Sequence, residues 1–167
     1  MSTLRYAILG LLSRKSMTGY ELSKEFETNL FEFWNTKHSQ IYPELKNLTQ
    51  SGLVEYTIQI SGNVMEKKVY SLTPEGKEAF FQWAQTESDT ITVPKDEFRL
   101  RLYFSDEIPT ERRLALLRHR LAQHQQRLEH FHQNLKKFPH LPPEDEQDFS
   151  DYLVLTGGIF REESTCR

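Results

Sequence analysis

The chain has 167 residues, 37% of them hydrophobic and 27% charged, with a net charge of −3; that is enough apolar mass to bury a core, and it fits one compact domain plus a helical extension. No run approaches membrane-spanning length and no secretory signal opens the chain. The single cysteine, Cys166, has no partner for an internal disulfide and fits a reducing cytoplasm.

Leu4 to Leu12 carries apolar residues nearly all round and predicts a helix. Thr18-Gly19-Tyr20-Glu21-Leu22 opens a second helix through Phe26, with Thr18 or Ser16 as its cap. The next element, Lys37 to Leu48 closed by Ser51-Gly52-Leu53-Val54, carries the most information. Ile41, Leu45 and Leu48 recur at helical spacing and can face a core, which leaves Ser39, Gln40, Tyr42, Pro43 and Lys46 pointing outward. A hydroxyl, an amide, a phenol and an ammonium gathered on one small surface suit phosphates and base edges. Pro43 is tolerable only near a helix start, so the helix begins around His38 or Ser39, and Gly52 supplies a left-handed stop. Trp34, just upstream, reads as core or domain joint, and could also line a ligand pocket.

Leu53 to Ile60 alternates Val54, Tyr56, Ile58 and Ile60 with polar residues, which predicts a strand. Ser61-Gly62-Asn63 is turn chemistry and Met65 to Leu72 returns as a second strand, so the pair makes a hairpin with Lys67 and Lys68 near its tip. Thr73-Pro74-Glu75 offers an N-cap, a proline at the first helical position and an acid in the first turn, launching a helix through Phe80, Phe81 and Trp83. Three helices, a hairpin and a helix make a winged helix-turn-helix over residues 1–86. Its expected DNA contacts are Lys37, His38, Ser39, Gln40, Tyr42 and Lys46 around the third helix, and Asn63, Lys67 and Lys68 on the wing. In that role Gln40 hydrogen-bonds an adenine edge and Tyr42 meets a phosphate or a thymine methyl; the plainer alternative makes both ordinary surface residues, with Tyr42 half against the wing. Net charge lends no support, because residues 1–86 hold as many acids as bases. The distribution is more favourable, since the lysines border the recognition helix and the wing, with Glu44 and Glu66 as the nearby acids.

Beyond a break at Pro94, Asp96 to Phe104 predicts a short amphipathic helix ended by Ile108-Pro109. Thr110 then caps the longest helix, expected over 110–138. Its positions Leu114, Leu117, Leu121, His124, Leu128, Phe131, Leu135 and Phe138 step by three and four throughout, a heptad seam with one polar member. Such a seam needs a partner, either this chain's last helix or a second subunit, and dimerisation is the expected purpose. His124 within it is expected to fix register rather than titrate. The last helix supplies a matching stripe of Phe149, Tyr152, Leu153, Thr156, Ile159 and Phe160, and Gly157-Gly158 permits close backbone approach. Pro139 to Pro143 is the hinge between the two. Residues 94–167 thus read as a helical dimerisation domain, and the whole chain as mostly α with a small β-hairpin (α+β).

Tyr6-Ala7-Ile8-Leu9-Gly10-Leu11-Leu12, Gly19-Tyr20-Glu21-Leu22, Phe33-Trp34, His38-Ser39-Gln40-Ile41-Tyr42-Pro43-Glu44-Leu45, Gly52-Leu53-Val54 and Tyr70-Ser71-Leu72-Thr73-Pro74-Glu75-Gly76 together resemble PadR-family transcriptional regulators. Lys95-Asp96-Glu97-Phe98-Arg99-Leu100, Tyr103-Phe104 and Asp151-Tyr152-Leu153-Val154-Leu155-Thr156 extend the resemblance to the family's phenolic-acid-responsive repressors, so it spans nearly the whole chain. In the family the last helix usually runs on past the position of Arg167, so a shortened chain is expected here.

The resemblance implies a repressor relieved by a phenolic acid such as p-coumarate and controlling a phenolic acid decarboxylase gene. A flat aromatic carboxylate calls for aromatic walls and a cation, and the joint between Trp83 and Asp96 offers Trp83, Phe98, Arg99, Arg101 and Tyr103, with Phe80 and Lys95 nearby. Against this stands the reading of those aromatics as core and the arginines as solvated. A dimer places two recognition helices in successive major grooves, so the operator is expected to be an inverted repeat. Two alternatives stay open: a winged helix used as a protein interaction module, and a repressor of the same type answering a different hydrophobic ligand. No catalytic residue, metal ligand or cofactor is expected. His119 and His130 lie about 16 Å apart along a helix, and no histidine pair has the i, i+4 spacing of a helical metal site.

Overall fold

In the computed structural model, α1 (Thr3–Arg14) sends Leu4, Ile8, Leu9, Leu11 and Leu12 into the interior of the N-terminal unit. The structure describes residues 2–30, 33–34, 36–61, 65–87 and 95–167, residues 61 and 65 by their backbone. They belong to two units, Met1–Ile91 and Thr92–Arg167.

In the first unit α1 is followed by β1 (Met17–Thr18), α2 (Gly19–Thr28), α3 (His38–Gln50), β2 (Val54–Ser61), β3 (Met65–Leu72) and α4 (Pro74–Gln85). Thr18 caps α2 through a complete capping box with Glu21. Thr73 caps α4 by accepting from the Gly76 N–H at its hydroxyl, with Pro74 at the first position, and also donates to the Gly52 carbonyl at 2.7 Å. One core joins these elements: the α1 leucines, Leu22 and Phe26 of α2, Ile41, Leu45 and Leu48 of α3, and Val54 at the base of the hairpin. Ile41, Leu45 and Leu48 occupy it as their spacing predicts. Gly52 holds the left-handed φ of 71° that ends α3.

The sheet has three antiparallel strands in the order β1-β3-β2. β1 was not expected from the sequence; it places Met17 opposite Tyr70 and Thr18 opposite Val69. Two residues are too few to carry an alternating pattern, and Met17 is held there by burial in the core.

The second unit holds α5 (Glu97–Tyr103), a single 3-10 turn at Ser105–Glu107, α6 (Thr110–Leu135) and α7 (Gln147–Cys166). Asp96 caps α5 by accepting from the Arg99 N–H. Thr110 is the first residue inside α6 rather than its cap, a place taken by Pro109. α6 also ends three residues short of the expected Phe138, because Pro139 bars its predecessor from helical geometry. α6 and α7 pack antiparallel, with Phe131 against Gly158 and Phe138 edge-on to Tyr152. The expected break at Pro94 lies outside the described residues.

Candidate nucleic-acid interface and ligand cleft

α3 presents Ser39, Gln40, Tyr42, Pro43, Lys46 and Asn47 to solvent, with Lys37 and His38 exposed at its start. Pro43 has no N–H to give to the Ser39 carbonyl, so this face also carries a backbone acceptor that the helix does not use. Gln40 is oriented by the Thr36 hydroxyl, which donates to its Oε1 at 3.1 Å. The Tyr42 ring lies over Gly19: a Cβ added at Gly19 would meet Cε1 of that ring at 2.7 Å. His38 flanks the ring at 6.0 Å and reaches Glu27 of α2 at 4.0 Å. The acid that could repel phosphate, Glu44, is turned away from this face and paired with Arg5 of α1 at 3.4 Å. The surface is therefore polar to basic although residues 1–86 hold equal numbers of acids and bases.

The hairpin register sets Lys67 opposite Gln59 and Lys68 opposite Ile58, so the two lysines stand on opposite faces of the wing. Lys68 lies 4.2 Å above the Tyr56 ring. Asn63 lies outside the described residues.

The second unit contains a cleft of about 540 Å³ between α5 and the first half of α6. Phe98, Leu102 and Leu116 give it apolar walls, and Lys95, Arg101, Arg113, His119 and Arg120 give it a basic rim against Asp96 and Glu97. Arg113 Nε is buried there without a hydrogen-bond partner, and the Arg120 guanidinium lies 5.3 Å from the Phe98 ring. Asp96 sits below the usual carboxylate range because the Arg99 backbone N–H donates to it. Of the five residues expected to bind an effector, Phe98 and Arg101 line this cleft. Arg99 and Tyr103 do not: Arg99 pairs with Asp96 at 3.3 Å, and Tyr103 is solvent-exposed, edge-on to Phe104. Trp83 belongs to the first unit, stacked on Tyr6 with ring centroids 4.8 Å apart.

Comparison with known proteins decides the lineage. Residues 8–82 match the transcriptional regulator PadR-like family, and the chain is 36% identical to the negative transcriptional regulator PadR of Bacillus subtilis (strain 168), an alignment spanning 98% of this chain and 92% of that protein. The chain belongs to the PadR-like family of transcriptional regulators. Residues 94–167 match a second family, the virulence activator alpha C-terminal region. The structure of Bacillus subtilis PadR in complex with operator DNA matches at a TM-score of 0.92 and 35% identity, covering 99% of this chain and 94% of that one. The same protein in complex with p-coumaric acid matches at 0.84 and 34%, covering 99% and 93%. The PadR-like lineage is one of regulators, not enzymes, and among the described residues no helix is long and apolar enough to cross a membrane.

In this PadR-like chain the heptad seam of α6 divides in two. Its second half closes on α7: Phe131 is buried, Leu128 and Leu135 are half-buried, and His124 meets Glu162. On α7 Phe149, Tyr152 and Thr156 are half-buried, Ile159 is buried and Leu153 is exposed. The first half of the seam, Leu114, Leu117 and Leu121, stays exposed. The sequence reading missed Arg113, Leu116, Arg120 and Gln123 of the cleft. A signal existed, since these four step by three, four and three along a stripe beside the seam.

Proposed function

We propose that this PadR-like protein is a dimeric cytoplasmic repressor that binds an inverted-repeat operator and leaves it on binding a phenolic acid such as p-coumarate, governing a phenolic acid decarboxylase gene. The observation that carries the reading is the likeness, over 99% of the chain, to Bacillus subtilis PadR in complex with operator DNA. The surface of α3 supports it: Ser39, Gln40 and Tyr42 suit base edges, while Lys37, His38 and Lys46 suit phosphates. Lys68 extends that set onto the wing, with Lys67 on the opposite face of the hairpin.

The effector part of the reading is supported by the complex of that relative with p-coumaric acid and by the chemistry of the cleft. Phe98, Leu102 and Leu116 accept a flat ring, and Arg113 or Arg120 accepts its carboxylate. Leu114, Leu117 and Leu121, left uncovered on α6, suit a second copy of the chain; two copies deliver two recognition helices about 34–36 Å apart, one per major groove.

A gel shift on DNA upstream of a phenolic acid decarboxylase gene, at two salt concentrations and with and without p-coumarate, tests the reading. Salt-sensitive binding lost on adding the acid supports both halves. Binding that ignores p-coumarate overturns the effector assignment, and an absence of binding to this and to random-sequence duplex pools overturns the repressor reading.

A further inference from the structure

Thr36 is used differently from Thr18 and Thr73. Those two cap α2 and α4, their hydroxyls accepting backbone N–H groups of the first turn. α3 starts after Lys37 with no side-chain cap. The hydroxyl one residue earlier, on Thr36, reaches past the helix start and donates to Oε1 of Gln40 at 3.1 Å. Gln40 is thereby held from outside its own helix. Thr36 is half-buried and Gln40 exposed, so the more enclosed residue positions the freer one. A glutamine ordered in advance loses less rotamer freedom when it meets a partner.

The same bond sets which end of the amide faces outward. A glutamine that reads adenine turns both ends to the base, with Oε1 accepting from N6 and Nε2 donating to N7. Here Oε1 is turned back to the Thr36 hydroxyl, which leaves Nε2, with its two N–H groups, for the duplex. The exposed Lys37 and Lys46 add further donors to this surface, and Glu44 is paired with Arg5 instead. Donors call for acceptors. In the major groove guanine offers two side by side, N7 and O6, whereas adenine sets its own N6 donor beside N7. Resting on the DNA-binding reading above, we infer that Thr36 is a positioning residue for base specificity. By occupying Oε1 of Gln40 it tunes α3 to guanine and against adenine at one base pair of each half-site.

The test is selection from a random-sequence duplex pool by three forms of the whole chain: the parent, Thr36→Val and Thr36→Ser. Valine keeps the shape and β-branching of threonine without the hydroxyl, and serine keeps the hydroxyl. The parent and Thr36→Ser are expected to select the same sequences. Thr36→Val is expected to keep its melting temperature, its salt slope and its preferences elsewhere, while its preference for guanine over adenine at one position per half-site falls about tenfold. Identical selection by all three proteins overturns the inference. So does a loss of affinity uniform across sequences, which would make Thr36 structural only, and so does a Thr36→Ser that behaves as the valine variant. Failure of the parent to select any duplex would instead strike the DNA-binding reading.

Discussion

His124 and Glu162 are locked together between α6 and α7, with Nδ1 and Oε2 separated by 2.5 Å, and the other carboxylate oxygen of Glu162 takes Arg127 at 3.1 Å. Glu162 is 6% exposed, so its carboxylate relies on these partners rather than water for hydrogen bonds. Removing it leaves the half-buried His124 without its acceptor, and Glu162→Ala is expected to cost about 3 kcal/mol. Replacing His124 and Glu162 together by leucine should recover much of that loss. Urea unfolding of the three proteins gives the comparison, and equal stabilities throughout would mean the pair holds nothing.

Gly19 positions Tyr42. In Gly19→Ala the new Cβ displaces the Tyr42 ring, which is half-exposed and free to swing out, so stability changes little while operator affinity falls about tenfold. Gln40→Ala and Tyr42→Ala should abolish specific binding and leave the dimer intact. Gly76 offers the contrast: a Cβ there would lie 1.9 Å from the Leu53 carbonyl oxygen, and the hairpin base has no side chain to yield. Gly76→Ala is therefore expected to lower the melting temperature by several degrees, about what 1 kcal/mol or more removes from a domain of this size. Binding isotherms and thermal melts of both alanine variants separate the two roles.

The lysines of the wing should not behave alike. Each phosphate neutralised contributes about 0.9 to the slope of log affinity against log salt. Lys68→Ala is expected to lower the slope by about one and Lys67→Ala to leave it nearly unchanged, as their opposite faces require. Equal slopes for the two variants would contradict a one-faced wing contact.

Cleft and surface arginines give a matched control. Arg113→Met removes a half-buried cation from the cleft and should weaken p-coumarate about tenfold. Arg99→Met, outside it, should not. Calorimetric titration of both proteins is decisive, and equal affinities would remove the cleft as the effector site.

Glu21 makes the helix-turn-helix acid-sensitive. The backbone N–H of Thr18 at 2.7 Å and its hydroxyl at 2.8 Å hold the carboxyl below the usual glutamate range. A pKa lower in the folded chain means stability present at neutral pH and lost as pH falls through the folded value. Glu21→Gln should thus be less stable than the parent at neutral pH, the difference closing in acid, and Thr18→Ala should cost about 1 kcal/mol. A gap that widens in acid would reverse the sign and refute the account.

What the sequence made legible was whatever repeats over several residues. The 41/45/48 spacing announced α3 and its outward face, alternation announced the hairpin, and Thr73-Pro74 announced α4. Contacts between elements left no such trace. Gly19 against Tyr42 and Arg5 against Glu44 join positions far apart in sequence, and β1 is two residues long. The seam was legible as a stripe, but not where it changes partner, since leucines that face α7 and leucines that face solvent are the same letter. The cleft hid for a related reason: its α6 stripe runs one residue out of step with a more regular one and mixes arginine with leucine.

The placement of the indoles has a practical consequence. Trp34 and Trp83 are the chain's two tryptophans, and both lie in the first unit. Trp34 keeps its Nε1 buried, four residues ahead of α3, whereas Trp83 is 41% exposed and stacked on Tyr6. Tryptophan emission is thus a spectroscopic signal that originates in the first unit alone. Unfolding followed by that emission and by helical circular dichroism, which both units supply, would show whether the halves of the chain melt as one, with no label attached.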